Sequence, residues 1–260
     1  MSTVSPTKKP ARVRPVPAVS RAIAILRLLG ESEQPLGVKA IADELGLVPS
    51  TTLHILRVLV SEELIEVDAD TKRYVLGGGM ITLARSVLEK GSFAERAQPA
   101  LDRIASSFGV TAMFVEVTAQ ESVVVLGISH SAQPFRIHTD VGSQFNTLVS
   151  ATGRLIAAHS NAPWSSLRQK FDAIAWDRRP AFTDWKMEVE LAKEQGWSID
   201  RDNFLRGITV LAVPVLAPSG RLSHTLVAAG LSSQFDQDFT TDLAQSMRQE
   251  ASALSRMTLG

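Results

Sequence analysis

With 260 residues and 45% hydrophobic side chains, the chain has room for two domains with buried cores, which excludes a wholly disordered protein. Its 27 basic and 27 acidic side chains cancel, so no global field advertises nucleic acid, yet Lys8, Lys9, Arg12, Arg14, Arg21 and Arg27 precede the first acidic residue. The absence of cysteine excludes disulfides, a thiolate nucleophile and thiolate metal ligation; no apolar run of about 18 residues and no signal-peptide core occurs, so a soluble cytoplasmic protein is expected.

Residues 1–17, rich in Ser, Thr, Pro and Lys/Arg, read as a flexible basic arm. Arg12 and Arg14 would touch phosphates or a minor groove, the alternative being an inert tail. Val19–Leu29 is predicted as an amphipathic helix with Val19, Ile23, Leu26 and Leu28 or Leu29 inward, closed by Gly30-Glu31-Ser32. Leu36–Leu59 then reads as two short helices around a tight turn. Val38, Ile41, Ala42 and Leu45 give the first an apolar face, and Gly46 stops it. Pro49 follows the turn, and Ser50 or Thr51 can cap the second helix, whose Thr52, Ile55, Leu56 and Leu59 fall on one side. That turns Ser50, Thr51, Leu53, His54 and Arg57 outward. Hydroxyls, an imidazole and a guanidinium near a helix start suit base edges and phosphates in a major groove; the alternative is an αα-hairpin with a solvated face.

Leu64–Leu76 holds two β-prone runs around the turn Asp68-Ala-Asp-Thr71, which is a wing when it follows a recognition helix. Lys72 and Arg73 at its tip would meet phosphates, or else be merely solvated. With Arg21, these residues form the candidate DNA contacts. Gly77-Gly-Gly79 marks a boundary and, lacking a following Lys-Ser/Thr, reads as a hinge.

Met80–Leu88 reads as a linker helix and Phe93–Phe108 as a further helix. From Val110 the pattern turns to strands: Ala112–Val117, Val123–Ile128 and Phe135–His138. A helix spans Ser150–His159. Residues 163–180 hold Trp164, Trp176 and an Arg178-Arg-Pro180 break without an assigned element. Helical Trp185–Gln195 ends at Gly196, strands Thr209–Leu216 and Ser223–Ala229 flank a turn at 217–220, and Phe239–Met257 closes as a helix. The expected fold is α+β, with a basic arm (1–17), a winged helix-turn-helix (18–77), a linker helix (78–92) and a mixed α/β sensor domain (93–260). At Ser150-Ala-Thr-Gly-Arg154, a small-residue turn opens a helix. Its free N–H groups and dipole suit a carboxylate, with Arg154 as a nearby cation; the alternative is a capped surface helix.

This order of parts resembles the isocitrate-lyase-regulator (IclR) family of bacterial transcription factors. The resemblance runs from Val19 to Leu254. It rests on Val19-Ser-Arg-Ala-Ile-Ala-Ile-Leu, Ile41-Ala-Asp-Glu-Leu-Gly-Leu, Ser50-Thr-Thr-Leu-His-Ile-Leu, Arg73-Tyr-Val-Leu-Gly77, Val141-Gly142, Ser150-Ala-Thr-Gly-Arg154 and the segment from Asp200 to Pro214. It implies a GAF-like effector-binding domain and a ligand-responsive regulator of a catabolic operon. The implied partners are a pseudo-palindromic double-stranded operator, a small organic acid and further copies of the chain, as a homodimer or dimer of dimers, with no membrane, cofactor or metal. Ala151 and Thr152 match the family's pocket, with Gly153 beside them, and the resemblance implies that Ile137 would line the same cavity. Two departures stand out. Leu53-His54 replaces a frequent His-Arg on the recognition helix, and a leucine can touch a thymine methyl but cannot hydrogen-bond a base. In the pocket an Asp, a Cys and two serines of the family become Asp200, Val210, Val227 and Ala229. Aliphatic walls, N–H donors and a carboxylate acceptor together select an aromatic or branched aliphatic acid carrying a hydroxyl.

Two rival classes stay open: an enzyme acting on a small organic acid, and a winged helix used only for protein contacts. None of the histidines (His54, His130, His138, His159, His224) falls into a metalloprotease pair, and no nucleophile elbow, Walker loop or dinucleotide turn occurs, so no catalytic residue is assigned.

Overall fold

The computed structural model describes residues 16–89, 92–118, 122–132 and 139–257. Arg12, Arg14, Ile137 and the expected strand Phe135–His138 lie outside the described residues. The chain divides into two units, Met1–Lys90 and Gly91–Gly260.

The first unit runs α1 (Pro17–Glu31), β1 (Leu36–Gly37), α2 (Val38–Glu44), α3 (Pro49–Ser61), β2 (Ile65–Val67), β3 (Arg73–Leu76) and α4 (Gly79–Glu89). Its antiparallel sheet has the order β1-β3-β2, with Leu36 opposite Tyr74 and Ile65 opposite Leu76. Ile25, Leu29, Ile41, Leu56, Leu59, Ile65 and Tyr74 form the core. On α1 the inward set is Ala22, Ile25, Leu26 and Leu29, with Leu28 partly buried. Val19 and Ile23, expected inside, are 56% and 44% exposed. Two apolar stripes share this helix, and the one carrying Ile25 and Leu29 is the one that packs into the core. Helix α2 closes as expected: Gly46 sits at φ +60°, and the Leu47 and Gly46 N–H groups return to the carbonyls of Ala42 and Asp43. Helix α3 starts differently. Pro49 occupies the first turn after Val48, and no side chain caps it; proline already removes one unsatisfied N–H there, so neither Ser50 nor Thr51 is needed as a cap.

The expected glycine hinge is a packed junction. Gly77 and Gly79 donate to the carbonyls of Leu64 and Glu63, and a Cβ on either would stand 2.6 Å from the Glu63 oxygen. Glycine is required here for close approach of two backbones, whatever freedom it would otherwise have.

The second unit runs α5 (Ser92–Phe108), β4 (Thr111–Val117), β5 (Ser122–Ser129), β6 (Gln144–Asn146), α6 (Ser150–Ala158), α7 (Trp164–Asp172), α8 (Phe182–Gln195), β7 (Ser198–Arg201), β8 (Ile208–Leu216), β9 (Leu222–Leu231) and α9 (Gln237–Met257). Six antiparallel strands lie in the order β6-β5-β4-β9-β8-β7. Alternation splits each central strand between two cores. Phe114, Leu211, Val213 and Leu226 face α5 and α9, whereas Met113, Val115, Ala212, Val227 and Ala229 pack with Ala151 and Leu155 of α6. Behind α6, Phe171, Phe182 and Trp185 form a third cluster with ring centroids 5.3–5.7 Å apart. This cluster explains α7, for which residues 163–180 carried no clear pattern: its apolar residues are only Trp164, Leu167 and Phe171, and they pack into the aromatic cluster with α8. Strands β6 and β7, only 3 and 4 residues long, were also missed.

Candidate DNA-reading surface and effector cavity

Helix α3 buries Thr52, Leu56 and Leu59, which leaves Ser50, His54 and Arg57 exposed and Thr51 and Leu53 half-buried. Ser50 and His54 lie on the first two turns and Arg57 at the start of the third, the N-terminal part with which a recognition helix meets base edges. The wing turn is organised by Asp68, whose carboxylate accepts the N–H groups of Asp70 (3.0 Å) and Thr71 (2.6 Å) and the Thr71 hydroxyl (2.8 Å). Those bonds, led by the Thr71 N–H, hold its carboxyl below the usual range. Lys72 leaves this turn at φ +53° with an exposed side chain. Arg73 is exposed too, but it opens β3 rather than the tip, and its guanidinium donates to the Pro35 carbonyl at 3.2 Å. Arg21 is exposed on α1.

In the second unit, a cavity of about 150 Å³ lies between the sheet and the first turn of α6. Met113, Val115, Val123, Val125, Val210, Val227 and Ala229 give it an aliphatic wall. Ser150 and Thr152 line the opposite side, Phe204, Leu205 and Ile208 close another, and Thr139 and Phe145 complete the rim. Polar groups here are few and specific. Among the described residues, the Thr139 hydroxyl is buried without a partner, and the Thr152 hydroxyl has only a 3.4 Å contact with that of Thr225. Ser150 adopts φ +54°, a left-handed conformation that a side chain disfavours, at the head of a helix without a side-chain cap. The first N–H groups of that helix have no partner within it. Seven of its nine residues are buried, which removes the alternative of a capped surface helix.

The structure thus brings Thr152, Val210, Val227 and Ala229 together at one cavity. Four other expected residues, Ala151, Gly153, Arg154 and Asp200, are not among its lining. Ala151 is wholly buried behind the turn, its carbonyl receiving the Ser198 hydroxyl at 2.7 Å. Gly153 backs onto Leu148 so closely that a Cβ would stand 2.1 Å from its carbonyl carbon. Arg154 is fully buried and points to α8: its Nε donates to Glu188 at 2.7 Å, and its Nη1 meets Asp200 at 3.0 Å and the Ser150 carbonyl at 2.9 Å. A buried guanidinium keeps its charge only when paired, so Arg154 and Asp200 neutralise each other instead of facing a ligand. Lining residues that sequence did not single out include Met113, Val115, Val123 and Val125, legible as alternate positions of two strands, and Phe204 and Leu205, which sit in a loop without periodic signal. Among the described residues, no group of three or more His, Asp or Glu is placed to hold a metal ion, and no helix is long and apolar enough to cross a membrane.

Comparison with known proteins agrees with both halves. The IclR helix-turn-helix domain matches residues 18–69, and the C-terminal domain of bacterial IclR transcriptional regulators matches residues 85–256. The glycerol operon regulatory protein of Streptomyces griseus is 29% identical over 249 residues, covering 94% of this chain and 96% of its own. The HTH-type transcriptional regulator XynR of Escherichia coli is 23% identical over 93% of this chain and 96% of its own. Among solved structures, an IclR transcriptional regulator from Alicyclobacillus acidocaldarius superposes with a TM-score of 0.80 at 23% identity, over 94% of this chain and all of that one. At that identity the likeness speaks for the fold alone.

Proposed function

Because this chain belongs to the IclR family and is a DNA-binding transcriptional regulator of that type, we propose that its second unit makes it ligand-responsive, sensing a small organic acid with an aromatic or branched aliphatic body. The observation that carries this reading is the cavity of about 150 Å³ with aliphatic walls and the start of α6 at its rim. A cavity near that size in another protein interior holds one benzene ring. At about 25 cal/mol per Å² of apolar area, burying such a ring contributes several kcal/mol before ordering costs. The free N–H groups at the start of α6 and the unpartnered Thr139 hydroxyl favour a carboxylate at the other end. The Streptomyces relative is named for a glycerol operon; here Val125, Val210 and Val227 would leave most hydroxyls of a polyol without partners.

In this proposal, the regulator acts in the cytoplasm as a non-catalytic sensor of a catabolic operon, with the arm at 1–17, the winged helix at 18–77, the linker at 78–92 and the effector domain at 93–260. Ser50, Thr51, Leu53, His54 and Arg57 read the operator, while Arg12, Arg14, Arg21, Lys72 and Arg73 hold its backbone. One recognition helix covers too few base pairs for genomic specificity, so two copies occupy a pseudo-palindromic site. Val16, Val19 and Ile23 on one side of α1 and its approach, with Ile81 and Leu83 on α4, are 44–71% exposed and supply apolar area for that pairing. Calorimetric titration with 4-hydroxybenzoate, 3-phenylpropionate, pyruvate, glyoxylate and glycerol tests the effector class. Binding of the ring-bearing acids and silence from glycerol is expected; binding of glycerol or the two small hydrophilic acids alone overturns it.

A further inference from the structure

Asp200 lies 1% exposed behind the cavity wall, with each oxygen already engaged. Oδ1 accepts from Arg154 Nη1 at 3.0 Å and Asn203 Nδ2 at 3.1 Å; Oδ2 accepts the Phe204 N–H at 3.1 Å and the Ser150 hydroxyl at 3.4 Å. A carboxylate offers about four lone-pair sites, so a ligand hydroxyl would have to displace one of these donors. The donors come from two sides of the cavity. Ser150 heads α6, while Phe204 belongs to the turn between β7 and β8 that lays Phe204 and Leu205 across the cavity. Arg154 adds a second strap, since the Nη1 that meets Asp200 also donates to the Ser150 carbonyl at 2.9 Å. Ser150 is therefore held by both its hydroxyl and its carbonyl in the left-handed conformation it would otherwise leave. The turn is tied down independently: Asp202 Oδ1 accepts the Gly207 N–H and the Ser232 hydroxyl at 2.8 and 2.7 Å.

We infer that Asp200 is a positioning residue that sets the size and polar rim of the effector cavity, and so its selectivity, without touching the effector. This rests on the reading of the cavity as the effector site. Releasing Asp200 lets Ser150 relax, which turns the first N–H groups of α6 away from the cavity, and loosens Phe204 and Leu205 so that larger ligands enter. Neither effect depends on whether the acid carries a hydroxyl: the first weakens every acid, and the second favours the larger ones.

The test titrates benzoate, 4-hydroxybenzoate and 1-naphthoate into the full chain and into Asp200→Asn. Asn203→Ala removes one donor while keeping the Arg154–Asp200 pair, and serves if Asp200→Asn fails to fold. Benzoate and 4-hydroxybenzoate should weaken by the same factor, on the order of tenfold in Asp200→Asn and less in Asn203→Ala, with 1-naphthoate gaining relative to both. A loss confined to 4-hydroxybenzoate means direct contact and overturns the inference. A readout without ligand separates this failure from that of the effector reading: amide exchange at 150–153 and 203–207 should speed up in Asp200→Asn. If the unaltered chain binds none of the three acids, the effector reading falls; unchanged exchange in these two segments refutes the positioning role.

Discussion

Three consecutive glycines offer a controlled perturbation of the first unit. The same added methyl at Gly77, Gly78 and Gly79 meets three different surroundings. At Gly77 and Gly79 it stands 2.6 Å from the Glu63 carbonyl oxygen, about 0.8 Å inside ordinary van der Waals contact, whereas at Gly78 it meets nothing within 4 Å. The obstacle cannot swing aside. The Glu63 carbonyl already receives the Gly79 N–H at 3.0 Å, and Glu63 itself is at φ +59°. Overpacking of this kind costs about 1–3 kcal/mol, while Gly78→Ala should be neutral or add roughly 0.4–1 kcal/mol by restricting the unfolded chain. For a unit of this size, ~2 kcal/mol lowers the melting midpoint by roughly 8–16 °C. Calorimetry of the full chain reads both units, and the four tryptophans, Trp164, Trp176, Trp185 and Trp197, all lie in 91–260, so tryptophan fluorescence identifies the transition of the second unit. Gly77→Ala and Gly79→Ala should lower the calorimetric transition that tryptophan does not report. Equal effects of all three substitutions would mean that the segment is the free hinge its composition suggests.

Arg57→Ala should weaken operator binding by about 1–3 kcal/mol if the guanidinium reads a base, and Lys72→Ala should weaken all duplexes alike and flatten the salt dependence by about one phosphate; anisotropy titrations at several salt concentrations distinguish the two. His224 stacks on Phe114 at 4.8 Å and meets Phe93 edge-on at 5.0 Å, and burial, aided by Arg221, pushes its pKa from 6.5 down to about 4. Its neutral ring therefore contributes stability that is complete above pH 6.5 and is lost as pH falls from there toward about 4; allowing for its partial exposure, about 1–3 kcal/mol is at stake. Urea unfolding of His224→Gln should show a correspondingly flatter pH dependence than the unaltered chain across that window, and parallel curves would refute the assignment. Light scattering should find a dimer or tetramer at micromolar concentration, and Val19→Asp with Ile23→Asp should shift it toward monomer; a monomer before any substitution contradicts the pairing surface.

Much of the fold was legible because long elements announce themselves by period. Helix α3 and the strands β4, β5, β8 and β9 each carry several residues of repeating pattern, whereas the wing, with strands of 3 and 4 residues, announced itself by the turn residues Asp68-Ala-Asp-Thr71 that follow the recognition helix. Strands of three or four residues hold too few repeats, and the aromatic core of α7 mixes with charges that sit over its rings, such as Arg179 above Phe171 at 5.2 Å. On α1 two apolar stripes competed, and only packing could choose between them. At the cavity, Thr152, Val210, Val227 and Ala229, singled out from sequence, share one lining because turn and strand positions determine their faces. It misread the directions of Arg154 and Asp200, whose orientations follow from neutralising each other in a dry interior. Phe204 and Leu205 were invisible because a loop side chain is aimed by the hydrogen bonds of its own turn, here to Asp200 and Asp202.

In the proposed function, this regulator's grip on DNA responds to an acid held in the sensor cavity. The most direct test selects genomic fragments with the full chain, then measures affinity for the selected duplex with and without a cavity-binding acid such as 4-hydroxybenzoate. The account predicts a change of tenfold or more, in either direction, equivalent to about 1.4 kcal/mol of coupling between the two sites. An acid that binds the protein by calorimetry yet leaves the duplex affinity unchanged would contradict it.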